Sequence, residues 1–326
     1  MNGNDSSTPA EAARLLPEPD ADRLLADLMT ARDHLWDEQS SHENGRVSRW
    51  ADQDWRCLPV RSPGGDKTRT DPGGPGSAEF ADTEWLDHMP YVREVLNSIP
   101  GPLYAVRFLD LGPGVVGYRH CDPKFSPDWG MARLHIPVIT HAEASLDLDG
   151  GIYRWQPGEF WFGDFSRMHQ IQNLGPEHRV HLVVDVLVTP ELAQLFPADW
   201  ADYFNGPDVL YNRPAVATTD QEREAARCSF DAPAHLLEIE EFGSLTGPQP
   251  QATFSIVNTG TGLAIRSPQD HLFPLVALGG HEYRLVGWSE ERTITTRLDG
   301  PRPEVELTYR KGHRSTRLHV PASPAA

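Results

Sequence analysis

Eight short β-rich segments follow one another between Leu103 and Val188, with no room between them for a helical crossover. Branched and aromatic residues make each segment a strand candidate, and glycine, proline or aspartate separates it from the next. In chain order they are LYAVRFLDL, VVGYRH, MARLHIPVI, ASLDLD, GIYRW, GEFWFGDF, HQIQNL and RVHLVVDVLV. Because parallel strands need long connections, this spacing predicts antiparallel pairing in a sandwich or jelly roll.

Helical patterns flank the strand block. DADRLLADLMTARDHLW places leucines at helical spacing, with Asp20 where an N-cap is expected. MPYVREVLNSIPG predicts a shorter helix, and TPELAQLFPADWADYF predicts one that closes the block. The segment RSPGGDKTRTDPGGPGSA has the glycine and proline content of a long loop.

The chain divides into two predicted folded units. Residues 1–19 are polar and expected to be disordered. Residues 20–206 form the first unit, with its barrel core at 103–190, and residues 207–219 form a linker. Residues 220–326 are predicted to be a small α+β accessory domain, with helices near APAHLLEIEEF and QDHLFPLVALGG and a strand at ATFSIVN.

Charge and cysteine content restrict the function classes. The formal net charge of -18 argues against nucleic acid or an anionic membrane surface as a general partner. The three cysteines are far apart and show no CxxC spacing, so neither a disulfide framework nor a zinc site is predicted. With no signal-peptide pattern and no run of transmembrane length, we expect a soluble cytoplasmic protein.

The stretch GYRHCDP contains the first candidate metal ligands. In a strand, His120 and Asp122 project from the same face, while Cys121 faces away. Imidazole and carboxylate suit Fe(II), and a second histidine would complete the facial triad of non-haem iron oxygenases. His169 begins a later strand after an acidic turn, where a third ligand is expected. A lone HxD is weak evidence and by itself favours a solvated strand end, and the flanking Arg119 and Lys124 are expected at the surface.

Two strands carry arginine and histidine on one face and apolar residues on the other. In RVHLVVDV the polar face holds Arg179, His181, Val183 and Asp185. ARLHIPV repeats the arrangement, with Arg133 aligned with His135. This face could be the solvent-exposed side of an open sheet. It could also be the interior of a barrel that binds a small dianion, since arginine holds a carboxylate through paired hydrogen bonds.

From Trp85 to about Pro190 the chain resembles the aspartyl/asparaginyl β-hydroxylase family of Fe(II)/2-oxoglutarate dioxygenases, which includes free-proline cis-hydroxylases. The motifs keep the family order: HxD, RxH on a strand, PGE, an acidic turn, a distal histidine, Asn-x-Gly, and an arginine on the last strand. The resemblance implies a mainly β, double-stranded β-helix (jelly roll) with flanking helices, followed by the α+β module. It implies three iron ligands: His120, Asp122 and His169. It also implies that Arg179 binds the distal carboxylate of 2-oxoglutarate, with Arg133 and His135 helping to hold this cosubstrate.

The implied activity uses Fe(II), 2-oxoglutarate and O2 to hydroxylate an amino-acid side chain, with succinate and CO2 as coproducts. The substrate would be a small amino-acid-type molecule, free, peptidyl or tethered to a carrier. The same site could instead desaturate, epoxidise or cyclise. The competing hypothesis is a non-catalytic β-barrel that binds or senses a small molecule. The C-terminal module is a candidate surface for substrate selection or homo-oligomer formation.

Overall fold

The computed structural model describes residues 10–43, 46–49, 53–238 and 248–325. The strands up to residue 190 are β1 (Ala12–Arg14), β2 (Asp37–Glu38), β3 (Ser40–Glu43), β4 (Arg46–Arg49), β5 (Trp55–Pro63), β6 (Phe80–Asp82), β7 (Leu103–Leu111), β8 (Met131–Ile139), β9 (Ala144–Leu148), β10 (Gly151–Tyr153), β11 (Trp161–Gly163), β12 (His169–Asn173) and β13 (Arg179–Leu187). The α-helices are α1 (Ala21–Met29), α2 (Pro90–Ser98), α3 (Ala201–Phe204) and α4 (Asp220–Ala225). Short 3-10 helices cover Glu84–His88, Pro127–Trp129, Pro190–Leu195 and Ala198–Trp200.

Two antiparallel sheets form the jelly roll of the N-terminal unit, and β3 pairs with β4 in a separate two-stranded sheet. An eight-stranded sheet runs β1-β11-β8-β13-β7-β5-β2, with β6 beside β5, and a three-stranded sheet runs β10-β9-β12. Trp55 and Leu109 from the large sheet pack in one cluster with Leu146 and Ile171 from the small sheet. The sheets therefore face each other, which confirms the mainly β jelly-roll prediction, including the β9–β10 hairpin.

The opposite face of the large sheet packs on helices. Leu134 of β8 and Leu182 of β13 share a core with Leu24 of α1 and Val92 of α2. Asp20 caps α1 by accepting hydrogen bonds from the main-chain N–H groups of Asp22 and Arg23, as the sequence predicted. The alternation of β13 therefore sends its apolar residues to the helices and its polar residues to the space between the sheets.

Two sequence-based predictions are corrected here, and one segment is described. Residues 10–19 are not disordered, because β1 pairs with β11 and both Ala13 and Leu15 are buried; the rest of that segment lies outside the described residues. The predicted closing helix at 189–204 is a set of 3-10 turns ending in the one-turn α3, since Pro197 lacks the N–H that a continuous helix needs. Residues 207–219 contain no helix or strand, although Val209 and Asn212 are buried.

The C-terminal unit is a closed antiparallel barrel rather than an α+β module. Its eight strands are β14 (Cys228–Pro233), β15 (Gln251–Asn258), β16 (Leu263–Arg266), β17 (Leu272–Gly279), β18 (Glu282–Leu285), β19 (Arg292–Arg297), β20 (Glu304–Lys311) and β21 (Arg314–Pro324). The helix predicted at QDHLFPLVALGG is wrong, because β17 alternates and sends Phe273 and Leu275 into the barrel core. The other predicted helix, near 232–242, begins with the end of β14 and a turn, and its remainder lies outside the described residues.

In its described part, the second unit contains one helix, α4, which begins with a capping box between Thr219 and Glu222. Across the described ranges, no helix is both long enough and apolar enough to span a membrane.

Candidate functional site

One cavity of about 310 Å³ opens between the two sheets, and all six predicted site residues line it. These residues are His120, Asp122, Arg133, His135, His169 and Arg179. Three of them come from strands of the large sheet and one begins a strand of the small sheet. His120 and Asp122 lie in the loop between β7 and β8. The structure therefore brings together residues that lie up to sixty positions apart in sequence.

His120, Asp122 and His169 form a group able to hold a metal ion. One ligand atom from each lies within 4.8 Å of the others. An antiparallel bridge pairs the main chains of His120 and His169, with N–H···O distances of 3.0 and 2.7 Å, so their side chains lie side by side. The N–H of Asp122 donates to the carbonyl of Phe165 at 2.8 Å, which fixes the loop against the start of the small sheet.

The tautomers of both histidines suit metal binding. Nδ1 of His120 lies 2.9 Å from the carbonyl oxygen of Tyr118, and Nδ1 of His169 lies 3.0 Å from that of Arg167. A carbonyl oxygen can only accept, so each neutral ring carries its proton on Nδ1 and a lone pair on Nε2. Nε2 of His120 lies 3.7 Å from Asp122 Oδ1. Metal-bound histidines in proteins are commonly oriented by such a second hydrogen bond.

Asp122 is held as a carboxylate by cations around it. Burial would raise its pKa, but Arg133, His169, His120 and Arg107 outweigh burial and keep the pKa below its ordinary value. The burial of His169 lowers the pKa of its imidazole, although Asp122 opposes that shift. Both groups are therefore in the protonation states that metal ligands need.

Arg133 lies differently from the prediction that it holds a cosubstrate. Its Nε and Nη2 donate to the two oxygens of Asp185 at 2.6 and 3.0 Å, and Nη1 contacts Asp122. Asp185 is paired with Arg133 in the β13–β8 register, so the strands themselves set this contact. The guanidinium is thus committed to two carboxylates, and its geometry fits an orienting role for Asp122.

Arg179 is a buried cation without a carboxylate neighbour. It is 6% exposed, and no Asp or Glu among the described residues lies within ion-pair distance of it. Burial lowers the pKa of its guanidinium to about 9, with a weaker opposing effect of Asp110. A buried, unpaired arginine is costly, which points to an anionic ligand at this position.

His135 and His181 form a neutral pair beside Arg179. Nη2 of Arg179 lies 2.8 Å from Nδ1 of His181, and since arginine can only donate, His181 accepts there. His135 Nδ1 lies 3.4 Å from the same nitrogen. Burial, followed by the charge of Arg179, lowers the pKa of both histidines well below the ordinary value. The Nε2 atom of each is buried, with no hydrogen-bond partner within the described part of the chain.

Among the cavity-lining residues that the sequence did not predict, Arg107 and Trp288 bear most directly on the chemistry. Arg107 of β7 is 2% exposed, and its Nη2 lies 3.4 Å from Asp185. It is the one charged residue on its face of LYAVRFLDL, which it shares with Ala105 and Leu109, whereas Asp110 lies on the other face; that single charge was the available signal. Trp288 comes from the C-terminal barrel. No local pattern indicates that a residue so distant in sequence reaches the cavity.

The flanking basic residues also differ from expectation. Lys124, expected at the surface, is 1% exposed and pairs with Glu291 of the C-terminal unit at 2.8 Å. Arg119 is half-exposed and lies 3.7 Å from Asp147.

Comparison with known proteins agrees with the motif order. The family model for aspartyl/asparaginyl beta-hydroxylase matches residues 20–189, which is 170 of 326 residues. No curated protein matches the chain.

Solved structures are similar to parts of the chain at low identity. An oxidoreductase of the 2OG-Fe(II) oxygenase family from Burkholderia pseudomallei is 12% identical, with a TM-score of 0.37 over 54% of this chain and 85% of that one. A viral collagen prolyl hydroxylase from Paramecium Bursaria Chlorella virus-1 is 18% identical, with a TM-score of 0.25 over 33% of this chain and 76% of that one. At such values, these likenesses carry no argument about function. The family match, the jelly-roll fold and the His-Asp-His group together place the chain in the aspartyl/asparaginyl β-hydroxylase family.

Proposed function

We propose that the protein is an Fe(II)/2-oxoglutarate-dependent dioxygenase that hydroxylates an amino-acid side chain. The observation that carries the proposal is one cavity lined both by the His-Asp-His group and by the unpaired, buried Arg179. A metal-ligand triad with open positions and a separate anion-binding residue are the two protein elements that this chemistry requires.

The donor set fits Fe(II). His120, Asp122 and His169 would be the ligands, through two imidazole nitrogens and one carboxylate oxygen. This set is typical of non-haem iron oxygenases, whereas structural zinc sites favour four protein ligands. When bound, Fe(II) with 2-oxoglutarate and O2 would supply the oxidising power to hydroxylate an unactivated C–H bond, with succinate and CO2 as coproducts.

The cavity also fits a small dianion. Among the described residues that line it, Arg107, Arg133 and Arg179 are the arginines and Asp122 is the one carboxylate. Asp185, outside the lining, pairs with Arg107 and Arg133, so a positive charge remains before any metal binds. Arg179 would bind the distal carboxylate of 2-oxoglutarate. Apolar side chains, including Leu109, Ile171 and Val183, line the same cavity and suit the methylene carbons.

The remaining residues position the ligands and limit water. Asp185 holds Arg133 through two hydrogen bonds, and Arg133 in turn fixes one oxygen of Asp122. His135 lines the cavity and stacks on Phe165, with ring centroids 4.8 Å apart, and its buried Nε2 has no hydrogen-bond partner among the described residues. These groups would hold the cosubstrate and the carboxylate ligand in fixed orientations.

The proposal is tested anaerobically, by adding Fe(II) and then 2-oxoglutarate to the purified protein. We expect a weak visible charge-transfer absorption from the chelated 2-oxo acid, and succinate release once O2 is admitted. A panel of free amino acids and dipeptides, followed by mass detection of a product 16 Da heavier, then identifies the substrate. A protein that binds Fe(II) without this absorption and forms no succinate would be a binding or sensor protein instead.

A further inference from the structure

We propose that Trp288 of the C-terminal barrel determines substrate specificity by forming the wall of the cavity against which the apolar part of an amino-acid substrate packs. The inference rests on the proposed function and extends it to a unit that the family model, ending at residue 189, does not include. It gives the C-terminal barrel a direct part in substrate selection.

Trp288 reaches the cavity from the loop between β18 and β19. It packs edge-to-face on Phe125, with ring centroids 6.3 Å apart. Phe125 follows Asp122 by three residues and lies under the guanidinium of Arg133, 4.3 Å from its ring centroid. A short chain of contacts therefore joins Trp288 to the candidate metal ligand Asp122.

Hydrogen bonds from both units fix Trp288 in place. Its carbonyl oxygen accepts from the hydroxyl of Tyr104 at 2.8 Å and from Arg284 at 3.0 Å. Its indole N–H donates to Glu291 at 3.0 Å. Since the main chain and the ring are both held, the indole presents a rigid surface, and rigid aromatic groups discriminate between ligand shapes.

A buried ion pair anchors the same loop to the metal-binding loop. Lys124 and Glu291 lie 2.8 Å apart, and their side chains are 1% and 2% exposed. Neither charge can be left alone at low cost, so the two loops are held together as one structure. The position of Trp288 relative to Asp122 is therefore set by the fold and does not depend on a bound partner.

The chemistry of the lining divides the cavity between two ligands. Arg179 and the His-Asp-His group would bind the cosubstrate and the metal, and both are polar. Trp288, Phe125 and Pro123 offer carbon surface in the same cavity. The part of the substrate that meets them is accordingly apolar, such as an aliphatic or ring side chain.

The test compares Trp288→Leu and the conservative Trp288→Phe with wild type, using free L-amino acids and dipeptides as probes. Succinate release above the rate without probe ranks the compounds, and KM is then measured for the best probe and for 2-oxoglutarate. We expect Trp288→Leu to raise the KM of the best probe about tenfold and to change the ranking, since one altered apolar contact is worth that much discrimination. The KM for 2-oxoglutarate should change much less, and Trp288→Phe should lie between wild type and Trp288→Leu.

Phe254→Leu is the matched control, because Phe254 is a buried aromatic residue of the same barrel core and does not line the cavity. It should lower the melting temperature and leave the ranking unchanged. Equal changes in both KM values, or the same re-ranking in Phe254→Leu, would show that Trp288 acts only through stability and overturn the proposal. A wild-type protein that forms the 2-oxoglutarate absorption but responds to no probe would also overturn it, whereas loss of that absorption would refute the proposed function instead.

Discussion

The N-terminal sheet pair and the C-terminal barrel enclose very different interiors. Between the two sheets lie Arg107, Arg133 and Arg179 together with His135 and His181, all largely buried. The C-terminal barrel is filled mainly by apolar side chains, such as Phe254 and Ile265. Burying charge and unsatisfied imidazole costs free energy, whereas burying apolar carbon lowers the free energy of the fold.

This difference assigns separate tasks to the two units. The buried arginines and histidines of the first unit lower its stability, and such groups are typical of a ligand site. The second has an interior that stabilises, and it contributes to the cavity through one loop that carries Trp288 and Glu291. Four predictions test whether the first unit binds the ligands and the second unit mainly stabilises the fold.

The largest effect is expected at the metal group. His169→Ala removes one of three proposed ligands, so Fe(II) binding should be lost and succinate release should fall about 1000-fold, since metal catalysis is worth several kcal/mol. Anaerobic Fe(II) titration and the succinate assay measure both quantities. The control, His313→Ala, changes an exposed histidine of the C-terminal unit and should behave as wild type. If His169→Ala retains activity, the cavity charges serve another purpose.

The next effect concerns the ion pair between the units. Glu291→Gln alone should lower the free energy of unfolding by about 3–5 kcal/mol, because it leaves the buried cations Lys124 and Arg292 without their carboxylate. Lys124→Met should cost less, because Glu291 keeps Arg292, 3.7 Å away, and the indole N–H of Trp288. The double variant should be destabilised by less than the sum of the two single losses. Urea unfolding followed by tryptophan fluorescence measures all three.

An exposed pair of the same residue types supplies the comparison. Lys67 and Glu84 lie 2.5 Å apart, with side chains 50% and 61% exposed. Lys67→Met should therefore cost under about 1 kcal/mol. Additive losses in the Lys124–Glu291 double variant would mean that the two charges do not stabilise one another.

Arg179→Met should raise the KM for 2-oxoglutarate about 100-fold, because it removes a buried charge partner of the cosubstrate. Affinity for Fe(II) should change little, since Arg179 is not among the candidate ligands. Arg179→Lys keeps the charge but cannot form the paired hydrogen bonds of a guanidinium. Its KM for 2-oxoglutarate should therefore lie between those of wild type and Arg179→Met. Equal losses in Fe(II) and 2-oxoglutarate binding would place Arg179 outside the cosubstrate site.

Much of the first unit could be predicted because the residues that determine its strands and motifs lie close together in the sequence. Alternation in RVHLVVDV identifies the polar face of β13. His120 and Asp122 also lie close together, but the predicted strand VVGYRH is wrong: the segment forms only isolated bridges at Val116 and His120, so the two residues meet in a loop and not on one strand face. The motif order added His169, which joins them through a bridge that alternation alone does not reveal.

The errors arose where distant contacts decide the structure. The charge of Lys124 suggests exposure, yet Glu291, 167 residues away, makes burial possible. The contacts of Arg133 with Asp185 of the neighbouring strand could not be foreseen either, while its predicted part in holding the cosubstrate stays a prediction. β17 is rich in leucine and alanine, which favour helices, but closure of the barrel overrides that preference.

The smallest predicted effect is a pH dependence of stability caused by the buried histidines. Burial and Arg179 keep the pKa of His181 well below the ordinary value, so the unfolded chain binds a proton at this residue before the native protein does. Stability should therefore fall as the pH drops below about 6.5, by up to about 1.4 kcal/mol per pH unit for each such histidine.

His181→Gln tests this, because glutamine can still accept a hydrogen bond from Arg179 but does not titrate. Between pH 6.5 and 5, the slope of the free energy of unfolding against pH should be smaller than in wild type by up to about 1.4 kcal/mol per pH unit, as measured by urea unfolding. His271→Gln, at an exposed position of the C-terminal unit, should keep the wild-type slope. An unchanged slope in His181→Gln would mean that His181 is protonated in the native cavity, and the interior of the first unit would then carry more positive charge than its geometry indicates.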